Sequence, residues 1–422
     1  MVPPPTPTSR QLLTAGLAAF AVYFAMYAFR KPVTAVGFAD QAALWPGLDY
    51  KATIVIAQAI GYALSKMLGV RVVAAHRAGG RGRLILALVA LAWGALIGFA
   101  LLPARFGPLC LFLNGLPLGM IWGLVFRYLE GRRASDLLAA MLTASFILSS
   151  GVTKSVGALL VAGGVSPFVM PALTGVLFAP VLVVALVVLG RLPPPDAADE
   201  AARGVRLAMD GPARRAYVRA HAVPLIVLIP GYMILTALRD FRDNFAPELW
   251  AALGHAASPA IFAVSEVPVT IVVLAAMALL TLVRSNLGAL LTIHAAVFAG
   301  AVLLVVATLL FRSGVLGSVG WVIWTGIGIY IAYAPFSAVL FDRMMSLSRM
   351  PGNAAFLIYL ADSFGYAGSV ALLVLRTLTQ GHGAWLGFFE RAVLTTGVVL
   401  AVASAVSAAW FVRRHGGTQS TR

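Results

Sequence analysis

Charged side chains inside otherwise apolar stretches are the residues of this sequence best placed to do chemistry. Arg30 and Lys31 close one apolar run, Arg239 lies near the end of another, and Lys66, Lys154, Glu266 and Asp362 interrupt four more. A charge in lipid costs about 2.5 kcal/mol or more, so such residues face a cavity or each other rather than acyl chains. Near the end of a run a side chain can instead snorkel to the interface, which is the alternative for Lys31, Lys51, Arg242 and, if its run ends early, Arg30. Arginine keeps its proton in practice, and its flat fork of donors fits two oxygens of a carboxylate or phosphate at once. Arg30 and Arg239, with Lys31 adding positive field, therefore point to binding of a small organic anion, a phosphate ester or a carboxylate. Tyr23, Tyr27, Tyr330 and Tyr333 lie on central runs and could donate hydrogen bonds, with packing as the alternative for each.

The elements that position these residues are long and apolar. Of 422 residues, 61% are hydrophobic and 11% charged, against about 25% charged in a soluble domain, and the mean hydropathy is +0.93. Disorder is excluded by this hydrophobicity. A disulfide scaffold is excluded because Cys110 is the sole cysteine. The expected fold is all-α, a polytopic membrane protein with twelve transmembrane helices at 12–32, 52–70, 84–103, 108–128, 137–162, 168–190, 222–246, 259–283, 287–311, 315–341, 353–377 and 390–412. The first is read as a retained helix, since no small-residue cleavage site follows it.

The net charge of +16 is distributed as membrane topology, not as a phosphate-binding face, so no nucleic-acid partner is expected. With the N-terminus inside, 20 of the 31 basic residues fall in cytoplasmic segments and five on the other side. Both termini are expected to be cytoplasmic, in a bacterial inner membrane, with lipid as solvent and a monomer as the working form. Residues 191–221 hold Pro193, Pro194, Pro195 and Pro212, four acids and six arginines. They read as a cytoplasmic linker between an N-terminal six-helix bundle (1–190) and a C-terminal one (222–422). The halves repeat: Arg30 and Arg239 are 209 residues apart, and Lys154 maps close to Asp362 at nearly that offset. Charges at matched places argue for a shared internal cavity.

Several motifs carry a family resemblance. They are "YAFRKP" (27–32), "IGYALSK" (60–66), "NGLPLGMIWG" (114–123), "LRDFRDNFAP" (238–247), "SEVPVT" (265–270), "YAPFS" (333–337), "GNAAF" (352–356) and "FGYAGSVA" (364–371). In order and spacing they resemble the major facilitator superfamily, and within it a divergent branch of the organophosphate:phosphate antiporters. Departures are the missing acid in the 71–83 loop, Lys154 where a histidine is expected, and Asp362 itself. The resemblance implies two pseudo-symmetric bundles and secondary transport, with the fifth run beside the eighth and the second beside the eleventh. That adjacency predicts two ion pairs, Lys154–Glu266 toward the outside and Lys66–Asp362 toward the inside. They are gates that alternate as the halves rock, or purely structural pairs. Glu266 and Asp362 could carry protons; anion exchange is the alternative.

Two other functions remain open at this stage. A transporter-shaped sensor would bind its ligand without moving it. A polytopic membrane enzyme fits less well, because the six histidines are scattered without metal-ligand spacing and "GGRGR" (79–83) lacks a nucleotide loop's strand-to-helix setting. No catalytic residue, metal or cofactor is expected.

Overall fold

The computed structural model describes residues 9–45, 47–75, 80–129, 135–193, 211–255, 258–348, 354–380 and 385–415. The chain start, most of the central linker, part of the 71–83 loop and the last seven residues lie outside the described residues. The helices are α1 (Ser9–Tyr27), α2 (Tyr50–Ala75), α3 (Arg81–Leu101), α4 (Gly107–Leu118), α5 (Ile121–Leu129), α6 (Ser135–Ala162), α7 (Met170–Gly190), α8 (Gly211–Ala220), α9 (Ala222–Asn244), α10 (Ala246–Ala252), α11 (Ile261–Leu280), α12 (Asn286–Arg312), α13 (Ser318–Pro335), α14 (Phe341–Ser348), α15 (Ala354–Gln380) and α16 (Trp385–His415). Among the described residues there is no strand, only one isolated bridge between Trp45 and Leu48. The fold is that of a polytopic helical membrane protein.

Ten stretches of helix are long and apolar enough to cross a membrane among the described residues. The first and tenth expected runs are interrupted near a proline. Pro32 offers no N–H to continue α1, which gives way to tight turns and a short 3-10 helix at Pro32–Ala35. Pro335 closes α13, and a π-helical turn follows at Phe336–Leu340. The outward faces are apolar: Leu91 is 66% exposed, Ile226 70% and Ile271 63%. Such a surface suits lipid rather than water.

The chain packs as two compact units. The first holds the described residues of Met1–Arg203, Arg242–Thr270 and Leu373–Gly383; the second holds those of Gly204–Phe241, Ile271–Leu372 and Ala384–Arg422. In the first unit α2 lies tightly against α4, because a Cβ at Gly61 would meet the Phe112 carbonyl and one at Gly115 the Gln58 carbonyl. Only glycine permits that backbone approach. Phe38, Tyr50, Phe99 and Phe168 form an aromatic core beside it. In the second unit α12 packs on α13 and α16, and a Cβ at Gly300 would sit 2.6 Å from the Gly328 carbonyl oxygen. Phe241 is enclosed there by Trp385, Phe388 and Phe389.

Candidate functional site

Arg30 lies just past α1, on the tight turns that precede Pro32. Those turns leave carbonyls without helical partners, and side chains from neighbouring helices satisfy them. Asn114 on α4 donates to the Phe29 and Ala92 oxygens at 2.9 Å. Gln58 on α2 donates to the Arg30 oxygen at 3.3 Å and to Asn114 Oδ1 at 2.8 Å. The guanidinium so placed lies over the Tyr62 ring, 3.8 Å from its centroid, and 5.9 Å from that of Tyr27. Tyr62 is tied back to α1 by a hydroxyl–hydroxyl hydrogen bond with Tyr23, 3.1 Å long.

The second unit repeats the device. Arg239 on α9 lies over the Tyr333 ring at 4.2 Å. The Tyr333 hydroxyl is 3.2 Å from that of Tyr232, on the same helix as Arg239. Tyr23 precedes Arg30 by seven residues, and Tyr232 precedes Arg239 by seven. A phenol face under a guanidinium supports the cation. The N–H edge of Arg239 meets Asp240: Nε and Nη2 donate to Oδ1 at 3.1 and 2.6 Å. Tyr232 also donates to Asp362 Oδ1 at 2.8 Å. Arg30 and Arg239 belong to different units, and each lies over a tyrosine of its own unit.

Further charges of the first unit form a buried cluster at the α9–α10 junction. Asp243 binds both Lys31 and Lys154; the Lys154 contact is 2.5 Å, and Ser150 donates to the same carboxylate. Lys31 also donates to Asn244 Oδ1 at 2.8 Å. Arg242 pairs with Glu266 at 2.6 Å, and Lys51 with Glu248 at 2.8 Å. Arg376 pairs with Asp49 at 3.0 Å.

One expectation is corrected here, and one open alternative is decided. Lys154 pairs with Asp243, not with Glu266, although Glu266 packs against Gly151 one turn away on α6. The carboxylate of Glu266 turns to Arg242, while the next residue of α9, Asp243, reaches α6. Lys31, Lys51 and Arg242 do not snorkel: they are 4%, 2% and 5% exposed and all are ion-paired. Lys66 lies 5.8 Å from the Tyr62 ring centroid, within the first unit. Sequence reasoning missed Gln58 and held Tyr62 and Asn114 only as members of the quoted motifs, without a role. It passed over Tyr232, although the 209-residue offset of the arginines also relates Tyr23 to Tyr232. His294 is a packed residue, bonded to Leu290 O and Ser407 Oγ. Among the described residues no group of three or more His, Cys, Asp or Glu side chains could hold a metal ion.

Two solved structures similar to this chain are of transporters. A nucleoside transporter, NupG, superposes with a TM-score of 0.62 at 12% identity, covering 94% of this chain and 98% of that one. A D-xylose-proton symporter superposes with a TM-score of 0.56 at 12% identity, covering 92% and 96%. The architecture is therefore the major facilitator fold. No curated protein sequence matches the chain. A sequence model described as "Family of unknown function (DUF5690)" matches residues 32–414.

Proposed function

The chain belongs to the DUF5690 family, and from its fold and its two arginine–tyrosine modules we propose that it is a secondary transporter moving a small organic anion across a membrane by alternating access. The carrying observation is the pair of guanidiniums, each lying over a phenol ring within its own unit. Neither cation can shed its charge, and the planar N–H edge of a guanidinium selects oxygens in pairs. Carboxylates and phosphate esters supply them. Arg30 and Arg239 are assigned as anion-binding residues, with Tyr27 and Tyr333 beside them. Lys31, which the sequence placed with the anion, is assigned to the cluster around Asp243.

That cluster is the gate in this reading. Lys31, Lys154 and Asp243, with Arg242 and Glu266 next to them, join segment 242–270 to helices from the chain's first half. Opening the structure on that side exposes these charges to water, which offsets the loss of their partners. Lys66 and Asp362 are assigned the corresponding part on the other side. Antiport of phosphate esters is the narrower form of the proposal, in a bacterial inner membrane, as a monomer with both termini cytoplasmic and with no cofactor or nucleic acid.

The test is a thermal-shift screen of purified protein with phosphate esters and small carboxylates, repeated on Arg30→Ala and Arg239→Ala. A ligand that stabilises the parent and neither variant fixes the chemical class, and accumulation of that ligand in vesicles separates carriage from mere binding. Equal stabilisation of parent and variants by every hit would sink the assignment of the arginines.

A further inference from the structure

Arginines crowd one end of the second unit. Helix α8 carries Arg214, Arg215 and Arg219 and no acid, and α16 ends in Arg413, Arg414 and His415. The two ends are tied together. Pro224 has no N–H with which to bond the Ala220 carbonyl four residues earlier. Arg414 donates to that oxygen instead, at 2.8 Å, and its guanidinium lies 4.9 Å from the Trp410 ring centroid. His221, stacked on Tyr217 at 4.2 Å, lies 5.7 Å from the same indole. Tyr217 and His221 are buried and so fix which way α8 faces. Arg214 lies 5.3 Å from the Phe356 ring centroid. Arg215 and Arg219 are exposed. They stand four residues apart, a spacing at which like charges on a helix repel. Among the described residues no ion pair includes Arg215, Arg219, Arg413 or Arg414.

Next to these arginines the surface is apolar, and in register with them. Arg219 is followed at helical spacing by Val223 and Ile226, both exposed. Arg413 is preceded by Ala409, Val406 and Val402, at steps of four, three and four residues, all exposed. These stripes lie on Ala222–Asn244 and Trp385–His415, two of the stretches long and apolar enough to cross a membrane. Each exposed arginine therefore tops a stripe suited to acyl chains. A soluble anion would use the charge alone; a phospholipid uses charge and stripe together.

We infer that α8 and the end of α16 form a binding site for an anionic phospholipid, its phosphate on Arg215, Arg219 and Arg413 and its chains along Val223, Ile226 and Val406. The site lies in the leaflet on the linker's side, the cytoplasmic one in the topology proposed above, and it is independent of the anion assigned to Arg30 and Arg239. A guanidinium takes two oxygens of a phosphodiester at once. The headgroup also relieves the repulsion between Arg215 and Arg219, so the lipid stabilises the second unit. Arg414, engaged by the Ala220 carbonyl, holds the two helix ends at one place.

The experiment uses the purified full chain in a neutral detergent, titrated with phosphatidylglycerol and, separately, with phosphatidylcholine. Bound lipid is counted by native mass spectrometry, and melting temperature is read in parallel. The variants are Arg215→Gln/Arg219→Gln, Arg413→Gln and a control, Arg10→Gln/Arg83→Gln, which removes two exposed arginines of the first unit. Phosphatidylglycerol should bind the parent about tenfold or more tighter than phosphatidylcholine and raise its melting temperature, with the preference shrinking as salt rises. Its affinity should fall about fivefold for each of Arg215, Arg219 and Arg413 removed and stay unchanged in the control. Glycerol phosphate at equal concentration should leave the lipid bound. Equal binding of the two lipids by the parent overturns the site, and that reading needs no variant to fold. An equal loss in the control and in Arg215→Gln/Arg219→Gln overturns it too, since net charge alone would then be at work. Displacement by glycerol phosphate overturns the lipid assignment in favour of a soluble anion.

Discussion

Asp243 neutralises two buried ammonium groups, those of Lys31 and Lys154. Asp243→Asn strands both, and the expected loss is about 3–5 kcal/mol, read as a drop in melting temperature in detergent. Lys154→Met should cost clearly less, because Asp243 keeps Lys31. Arg239→Lys should weaken anion binding by tenfold or more, since an ammonium provides neither the planar two-donor edge nor the stacked face; titrating any stabilising anion against both proteins checks it. The sequence exposed these residues because a charge among apolar neighbours is conspicuous. It did not expose who pairs with whom. Arg242 and Asp243 are consecutive on α9, about 100° apart around it, so one reaches Glu266 on α11 and the other Lys154 on α6. Which of several reachable partners lies nearest is decided by helix rotation, which a single sequence does not record.

At the scale of elements, the break after α1 depends on Asn114 and Gln58. Asn114→Ala should cost about 1–3 kcal/mol, by removing the brace to the Phe29 carbonyl beyond the end of α1, and should also loosen Arg30. Its anion affinity should fall several-fold, whereas a substitution of equal thermal cost in the second unit's aromatic core, such as Phe389→Leu, should leave affinity unchanged. Pro32 and Pro335 marked both interruptions in the sequence, but the braces come from helices about 30 and 80 residues away, and nothing local announces them. The junction of α8 and α9 adds a pH dependence. Burial, reinforced by Arg414 and His415, lowers the pKa of His221 below the ordinary histidine value, against a hydrogen bond to Tyr217 O. The unfolded chain therefore takes the proton first as pH falls. The stability this group contributes is full above about pH 6.5 and is lost as pH drops through that value toward the folded pKa. Melting temperatures at about pH 7.5 and about pH 5.5 should differ less in His221→Gln than in the parent.

The whole molecule was the most legible level. Apolar runs of membrane length and a basic bias on alternate loops sufficed to expect a twelve-helix membrane protein, and the resemblance of its motifs implied the major facilitator fold. Packing cut across chain order, since segments 242–270 and 373–383 join the first unit, and hydropathy carries no trace of that. Orientation can be tested with one buried thiol removed. In a Cys110→Ser background, cysteine at Arg105 should react with a membrane-impermeant maleimide in intact cells, and cysteine at Arg215 only after permeabilisation. The reverse pattern would invert the topology. The phenol that pins each guanidinium is hooked to a tyrosine exactly one heptad upstream on the arginine's own strand of chain. Deleting a single residue between Tyr232 and Arg239 would swing the arginine about 100° around the helix, off its platform, with no change in composition. Other chains of this lineage can then drift freely in the letters between those two positions, but not in their number, and aligning them should find that count fixed in both halves.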